Sequence, residues 1–293
     1  MKPPDGQNPN GAHEGEKMSV KNIEDTYPLS PMQQAMLFQY QLNPRSGLYI
    51  QQVRGSLHEE LNIPAFQRAW EQVLTRHAAL RTSFRWEEMS EPMQDVHTLA
   101  RLPFEEQDWQ DLPPLEQERQ FERFLRLDRE RGFDLKEAPL VRLAVFRLAE
   151  RDYKLLCTYH HIVADGWARY LLIDEVFGFY DAYCEGHDLA LERPRPYRDH
   201  IDWLREMDFS ESESYWRELL KGFTAPTAVD AIPQFDRSDD RVGYGEEETH
   251  LSTSVTSHLR SVAKRHQVTL NTIVQGAWAL LLARYTGEDD VVF

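Results

Sequence analysis

Two adjacent histidines, His160 and His161, followed by Asp165 and Gly166, are the residues of this chain best suited to chemistry. An imidazole has an ordinary pKa of about 6.5, so it can take up a proton near neutrality and give it back within one reaction. In extended backbone successive side chains point to opposite faces, so the two rings cannot share one cavity. One is expected to serve structure and the other chemistry. Asp165 follows across an Asp-Gly turn signal and is expected to brace the loop rather than react. The plainer alternative is that a buried histidine is simply a hydrogen-bonded core residue. A metal site built on His160, His161 and Asp165 is not expected, because adjacent strand residues diverge and no fourth ligand is suitably spaced.

The elements that must position this group are legible around it. Residues 154–160 form a short run with apolar, β-branched and aromatic members, the pattern of a buried strand, and the histidines sit where it stops. Residues 141–148 form a second apolar run, and the short polar turn at Asp152 makes the two an antiparallel hairpin. Residues 167–183 form a helix whose partially positive N-terminus would favour an oxyanion beside the histidine loop. Further upstream, Ser30 reads as a helix N-cap with Pro31 at the first helical position, followed by Met32, Met36 and Leu37 at helical spacing. Residues 49–55 are strand-like, residues 63–77 form an amphipathic helix with Phe66, Trp70, Val73 and Leu74 on one stripe, and residues 96–102 form another strand. The helix at 115–130 carries Phe121, Phe124, Leu125 and Leu127 on its apolar side, and its alternating acids and arginines read as a solvated face.

Strands and helices mixed in this way point to an α/β sandwich. Residues 1–22 are Pro-, Gly-, Asn- and Glu-rich and read as a flexible leader. The first lobe then covers 23–192, and a proline-punctuated connection at 192–197 marks the boundary to a second lobe covering 193–293. That lobe is expected to hold helices at 197–207 and 212–221, a loop at 222–243, a strand at 246–251, a helix from Thr256, an apolar helix from Thr269 to Tyr285, and a strand at 291–293.

Composition narrows the function classes. The 293 residues are 41% hydrophobic and 11% aromatic, ample for a buried core, and the formal charge of -16 would repel a nucleic-acid backbone. Cys157 and Cys184 lack metal-ligand spacing, which fits a reducing cytoplasm. The N-terminus has no signal-peptide core, and no run approaches the roughly 18 apolar residues of a membrane span. A cytoplasmic protein with no membrane or nucleic-acid partner is expected.

The motif His-His-x-x-x-Asp-Gly, after a strand and before an amphipathic helix, resembles the active-site motif of condensation domains of nonribosomal peptide synthetases. Three other regions are similar to that family's signatures in the expected order: the Ser-Pro-x-Gln helix opening at Ser30–Gln33, the helix-to-strand passage Arg76–Phe84, and the helix-turn-strand ending at Phe293. The resemblance implies a chloramphenicol acetyltransferase-like α/β two-layer sandwich with an incomplete second lobe. It also implies acyl transfer forming an amide bond between an acyl or peptidyl thioester and an aminoacyl amine. Both groups would ride phosphopantetheine arms of donor and acceptor peptidyl carrier proteins within a multimodular synthetase, and the domain itself would bind no cofactor.

The same resemblance assigns the step to His161, as general base or as the partner that orients the amine. His160 and Asp165 would be structural, Gly166 would permit the tight turn and close approach of the substrate arm, and Arg81 would pair with Asp165. From the residues alone, Arg81 is equally a surface residue. Cyclising relatives replace the first histidine by aspartate, so the doubled histidine favours plain amide formation. The ending at Phe293 suggests a fragment that is inactive alone. The alternatives are a related acyltransferase using coenzyme A or another acceptor, an epimerising relative using the same histidines for proton transfer at Cα, and a noncatalytic docking platform of the same fold.

Overall fold

The computed structural model describes residues 22–44, 46–225, 227 and 249–293. These residues form two compact units that divide between Met207 and Asp208.

The first unit is built on two sheets. Strands β1 (Ile23–Pro28), β3 (Thr82–Arg85) and β4 (Met93–His97) make a three-stranded antiparallel sheet in the order β1-β4-β3. Strands β2 (Ile50–Leu57), β5 (Phe104–Asp108), β6 (Val141–Ala149) and β7 (Asp152–His160) make a four-stranded sheet in the order β2-β7-β6-β5. The β6–β7 hairpin is antiparallel, as its short polar turn predicts, and β7 is flanked on its other edge by antiparallel β2. Strand β5 runs parallel to β6 in a stretch not expected to be a strand, whereas the strand expected at 96–102 overlaps only the end of β4.

The period of two along β7 sorts its side chains. Tyr153, Leu155, Cys157 and Tyr159 join the main core with Phe66 and Trp70 of α2 (Ile63–Arg76) and Val176 and Phe179 of α4 (Gly166–Cys184). Leu156 packs on the opposite face with Phe121 and Leu125 of α3 (Pro114–Arg131). Helix α2 starts where Asn62 accepts a hydrogen bond from the Ala65 N–H and Pro64 occupies the first turn, and its Phe66, Trp70, Val73 and Leu74 stripe is buried. Each such side chain contributes about 1.5–3 kcal/mol relative to exposure, so this stripe anchors the helix against the sheet. Helix α1 (Pro31–Leu42) begins at the expected Ser30 cap.

The division after Met207 differs from the boundary expected at residue 192. Helix α5 (Tyr197–Glu206) buries Ile201 against Tyr27 and Val96 of the three-stranded sheet, and Arg198 pairs with Asp25 of β1. Those contacts keep the chain in the first unit past its prolines.

The second unit contains α6 (Ser210–Leu219), α7 (Thr253–Arg265) capped by Ser252, and α8 (Leu270–Thr286) capped by Thr269 and closed by Gly287 at φ 75°. Residues 291–293 are not in a strand. The Val292 N–H instead donates to Thr227 Oγ1 at 2.9 Å. Residues 1–21 of the expected leader, most of the 222–243 loop and residues 246–248 of the expected strand lie outside the described residues.

Candidate active site

Strand β7 ends at His160, and the chain turns through His161 to Asp165 before α4 begins. The two histidines have different surroundings. His160 is 1% exposed, with Tyr40 and Tyr49 rings 6.5 and 6.1 Å from its own. Its Nδ1 accepts the Ile162 N–H at 3.1 Å, which places the neutral ring's proton on Nε2. Burial, with His161 adding to it, pushes its pKa down to about 4. The ring is thus held neutral and hydrogen-bonded into its own turn. It also lines a cavity of about 130 Å³ together with Tyr40, Gly47, Arg129 and Phe133.

His161 is partly exposed, and its Nδ1 makes no hydrogen bond within the described residues. Its backbone is held on both sides. The His161 N–H donates to the Tyr49 carbonyl at 2.8 Å, and the carbonyl of Ile162 accepts from Gln33 Nε2 at 3.2 Å. Tyr49 adopts φ 65°, the left-handed region that costs a residue with a Cβ roughly 1–2 kcal/mol. Its ring lies nearly parallel to that of His161, at 6° with centroids 6.5 Å apart. The motif therefore presents one fixed backbone and one partly exposed imidazole whose Nδ1 is buried without a hydrogen-bond partner among the described residues.

Asp165 and Arg81 do not meet. Asp165 is exposed, and its Oδ1 accepts the Ala168 N–H at 2.7 Å as the N-cap of α4. Arg81 is buried at the end of a single 3-10 turn, Ala78–Arg81, where its guanidinium reaches Glu24 at 2.9 Å and the His97 carbonyl. The expected Arg81–Asp165 pair is thus replaced by a helix cap and a separate tie to β1 and β4. The start of α4 likewise meets Asp165's own carboxylate, so its positive potential is matched by an acid already in place. Gly166 is the first residue of that helix, with open space where a Cβ would stand. Neither a close neighbour nor a left-handed backbone therefore requires glycine there, unlike the tight-turn role expected for it.

Behind β7 lies a buried polar network that the sequence pattern missed. Asp128 of α3 accepts from Arg142 Nε at 2.5 Å, Gln52 Nε2 at 2.8 Å and Thr158 Oγ1 at 2.7 Å. Arg142 also donates to the Asp128 and Gly132 carbonyls and stacks its guanidinium over Phe133 at 4.2 Å. Asp128 falls on the apolar stripe of α3, seven residues after Phe121 and three after Leu125. That position is the one signal that could have found it.

The polar contacts of Gln33 were also missed, although Ser30 and Gln33 form the expected cap. Ser30 Oγ accepts the Gln33 N–H, and Gln33 Oε1 accepts the Ser30 N–H, a reciprocal capping box.

The sequence profile of the family described as Condensation domain matches residues 23–293. Linear gramicidin synthase subunits C and D of Brevibacillus parabrevis are 39% and 40% identical over 94% of this chain, and bacitracin synthase 1 of Bacillus licheniformis is 34% identical over 95%. The chain spans 4–5% of the length of these synthases. Among solved structures, a variant of the starter condensation domain of rhizomide synthetase in complex with C8-CoA matches 92% of this chain and 60% of that one, with a TM-score of 0.73 and 23% identity. A four-domain nonribosomal peptide synthetase bound to AMP and glycine matches over 91% of this chain and 20% of its own, with a TM-score of 0.74 and 20% identity. These likenesses establish the fold, the chloramphenicol acetyltransferase-like α/β sandwich. Among the described residues, no helix is long and apolar enough to cross a membrane. With its profile match and its synthase relatives, the chain belongs to the condensation-domain family.

Proposed function

We propose that this chain supplies the condensation step of nonribosomal peptide synthesis. The amine of an aminoacyl group on an acceptor carrier protein attacks the thioester carbonyl of an acyl or peptidyl group on a donor carrier protein. Both groups arrive on phosphopantetheine arms, and the carriers belong to neighbouring domains of a multimodular synthetase. A C–N bond forms, the C–S bond breaks, the donor arm leaves as a thiolate, and the proton lost by nitrogen neutralises it. His161 acts at the nitrogen, taking its proton or orienting it through a hydrogen bond. His160, Asp165 and Gly166 shape the turn that presents it, and Arg81 ties the strands upstream.

The observation that carries this reading is the family match over residues 23–293, with the doubled histidine intact and a partly exposed His161 at the end of β7. Direct transfer is favoured over a covalent intermediate on Cys157. Burial pushes that thiol's pKa up to about 12, so it holds its proton at neutral pH.

The test is to incubate the intact protein with an acyl-loaded donor carrier and an aminoacyl-loaded acceptor carrier and to weigh the acceptor. An amide product on the acceptor arm is expected. Product formed from acyl-coenzyme A and a free amine, with none from the loaded carriers, would replace this reading by a coenzyme A-dependent acyltransferase.

A further inference from the structure

We infer that Gln33 is a positioning residue for His161, acting through the Ile162 carbonyl. Its kinetic consequence rests on the reading proposed above. Its structural consequence does not.

The amide of Gln33 is 5% exposed and uses all four of its hydrogen-bonding positions. Oε1 accepts from the Ser30 N–H at 3.0 Å and from Gln94 Nε2 at 3.0 Å. Nε2 donates to Gln94 Oε1 at 3.2 Å and to the Ile162 carbonyl at 3.2 Å. The Ser30 N–H can be met only by an acceptor, so the amide cannot flip, and Nε2 is committed to the turn. Gln94 is 1% exposed and is itself fixed by donating to the Pro28 carbonyl at 3.0 Å. Ile162 is 4% exposed, so its carbonyl has no water to fall back on and would stand unpaired without Gln33.

The consequence is a brace that runs from the start of α1 to the residue after His161. The other side of His161 is held by Tyr49, whose left-handed backbone aims its carbonyl at the His161 N–H. The two hydrogen bonds bracket the His161–Ile162 segment, whose backbone angles set where the imidazole projects. A misplacement of about 1 Å at a reacting group can cost on the order of a hundredfold in rate. A residue in the first turn of α1 thereby determines the aim of a side chain far away in sequence.

The test compares two substitutions in the intact protein. Gln33→Glu keeps an acceptor for the Ser30 N–H but, when ionised, gives no donor to Ile162. Gln94→Met removes the contact to the three-stranded sheet while leaving that donor in place. The first readout is single-turnover transfer between loaded carriers, and the second is the ring resonances of His161 by NMR, which needs no activity.

Q33E is expected to lower the transfer rate constant about tenfold to a hundredfold at unchanged carrier saturation, and to shift the His161 ring resonances. Q94M is expected to lower the melting temperature more than it lowers transfer, with His161 resonances close to wild type. Wild-type His161 resonances in Q33E would overturn the inference, and so would losses of transfer that merely track melting temperature in both variants. A wild-type protein inactive in this assay would count against the proposed reaction, and the resonances would still decide the role of Gln33.

Discussion

The two polar regions at the end of β7 are built on opposite plans. On the α3 side, Asp128, Arg142, Thr158 and Gln52 close on one another, and Asp128 and Arg142 are both almost wholly removed from water. At the histidine turn, the backbone is held by Tyr49 and Gln33 and the His160 ring by Ile162, while His160 Nε2 and His161 Nδ1 have no hydrogen-bond partner within the described residues. The first region spends its polar groups on rigidity. The second holds its backbone and the His160 ring, and leaves the partly exposed His161 ring without a hydrogen-bonded tie to its neighbours among the described residues. A strand that must present a reactive side chain is steadied from behind and left open at its tip.

Breaking the closed region should have the largest effect on stability. Asp128→Ala leaves Arg142 charged and buried without its carboxylate, and the expected loss is about 3–5 kcal/mol by denaturant unfolding. Replacing both residues with apolar ones of similar volume, as Asp128→Leu with Arg142→Met, should recover most of it. A small loss in the single variant would show that the network does not steady β7.

The next effect is a dependence on acidity from His160. Its folded pKa, near 4, lies below the ordinary value of 6.5, so the unfolded chain takes up a proton that the folded chain refuses. The stability from keeping this ring neutral is fully present above pH 6.5 and is lost as pH falls toward 4, by about 3 kcal/mol across the window. Unfolding free energies measured between pH 7 and 4 should show that slope, and His160→Gln should flatten it. An unchanged slope would mean that the ring is not buried as a neutral group.

The smallest effect separates a helix cap from an ion pair. Asp165→Ala should cost about 1 kcal/mol, the usual loss of an N-cap, whereas Asp165→Asn should cost little because its side-chain oxygen still accepts the Ala168 N–H. Equal losses in the two variants would favour a charge pairing over the cap.

Much of the scaffold was legible because it follows local periods. The alternation along β7, the hairpin with β6, the stripe of α2 and the Ser30 cap depend on residues near one another in sequence. The brace from Gln33 to Ile162 joins residues 129 positions apart and leaves no spacing to read. Asp128 was hidden for another reason: α3 is crowded with acids and arginines, and which acid turns inward depends on how the helix is rotated against the sheet. The Arg81–Asp165 pairing came from resemblance, and the local chemistry of each residue found nearer partners. The lobe boundary went to the prolines, although burial of Ile201 carries the first unit beyond them.

The most direct test of the account is His161→Ala in the intact protein, assayed for amide formation between loaded carriers alongside thermal unfolding. The rate should fall at least about a hundredfold, with a melting curve close to wild type, if His161 contributes a ring to chemistry and little to the fold. Transfer at the wild-type rate by a folded H161A protein would contradict it.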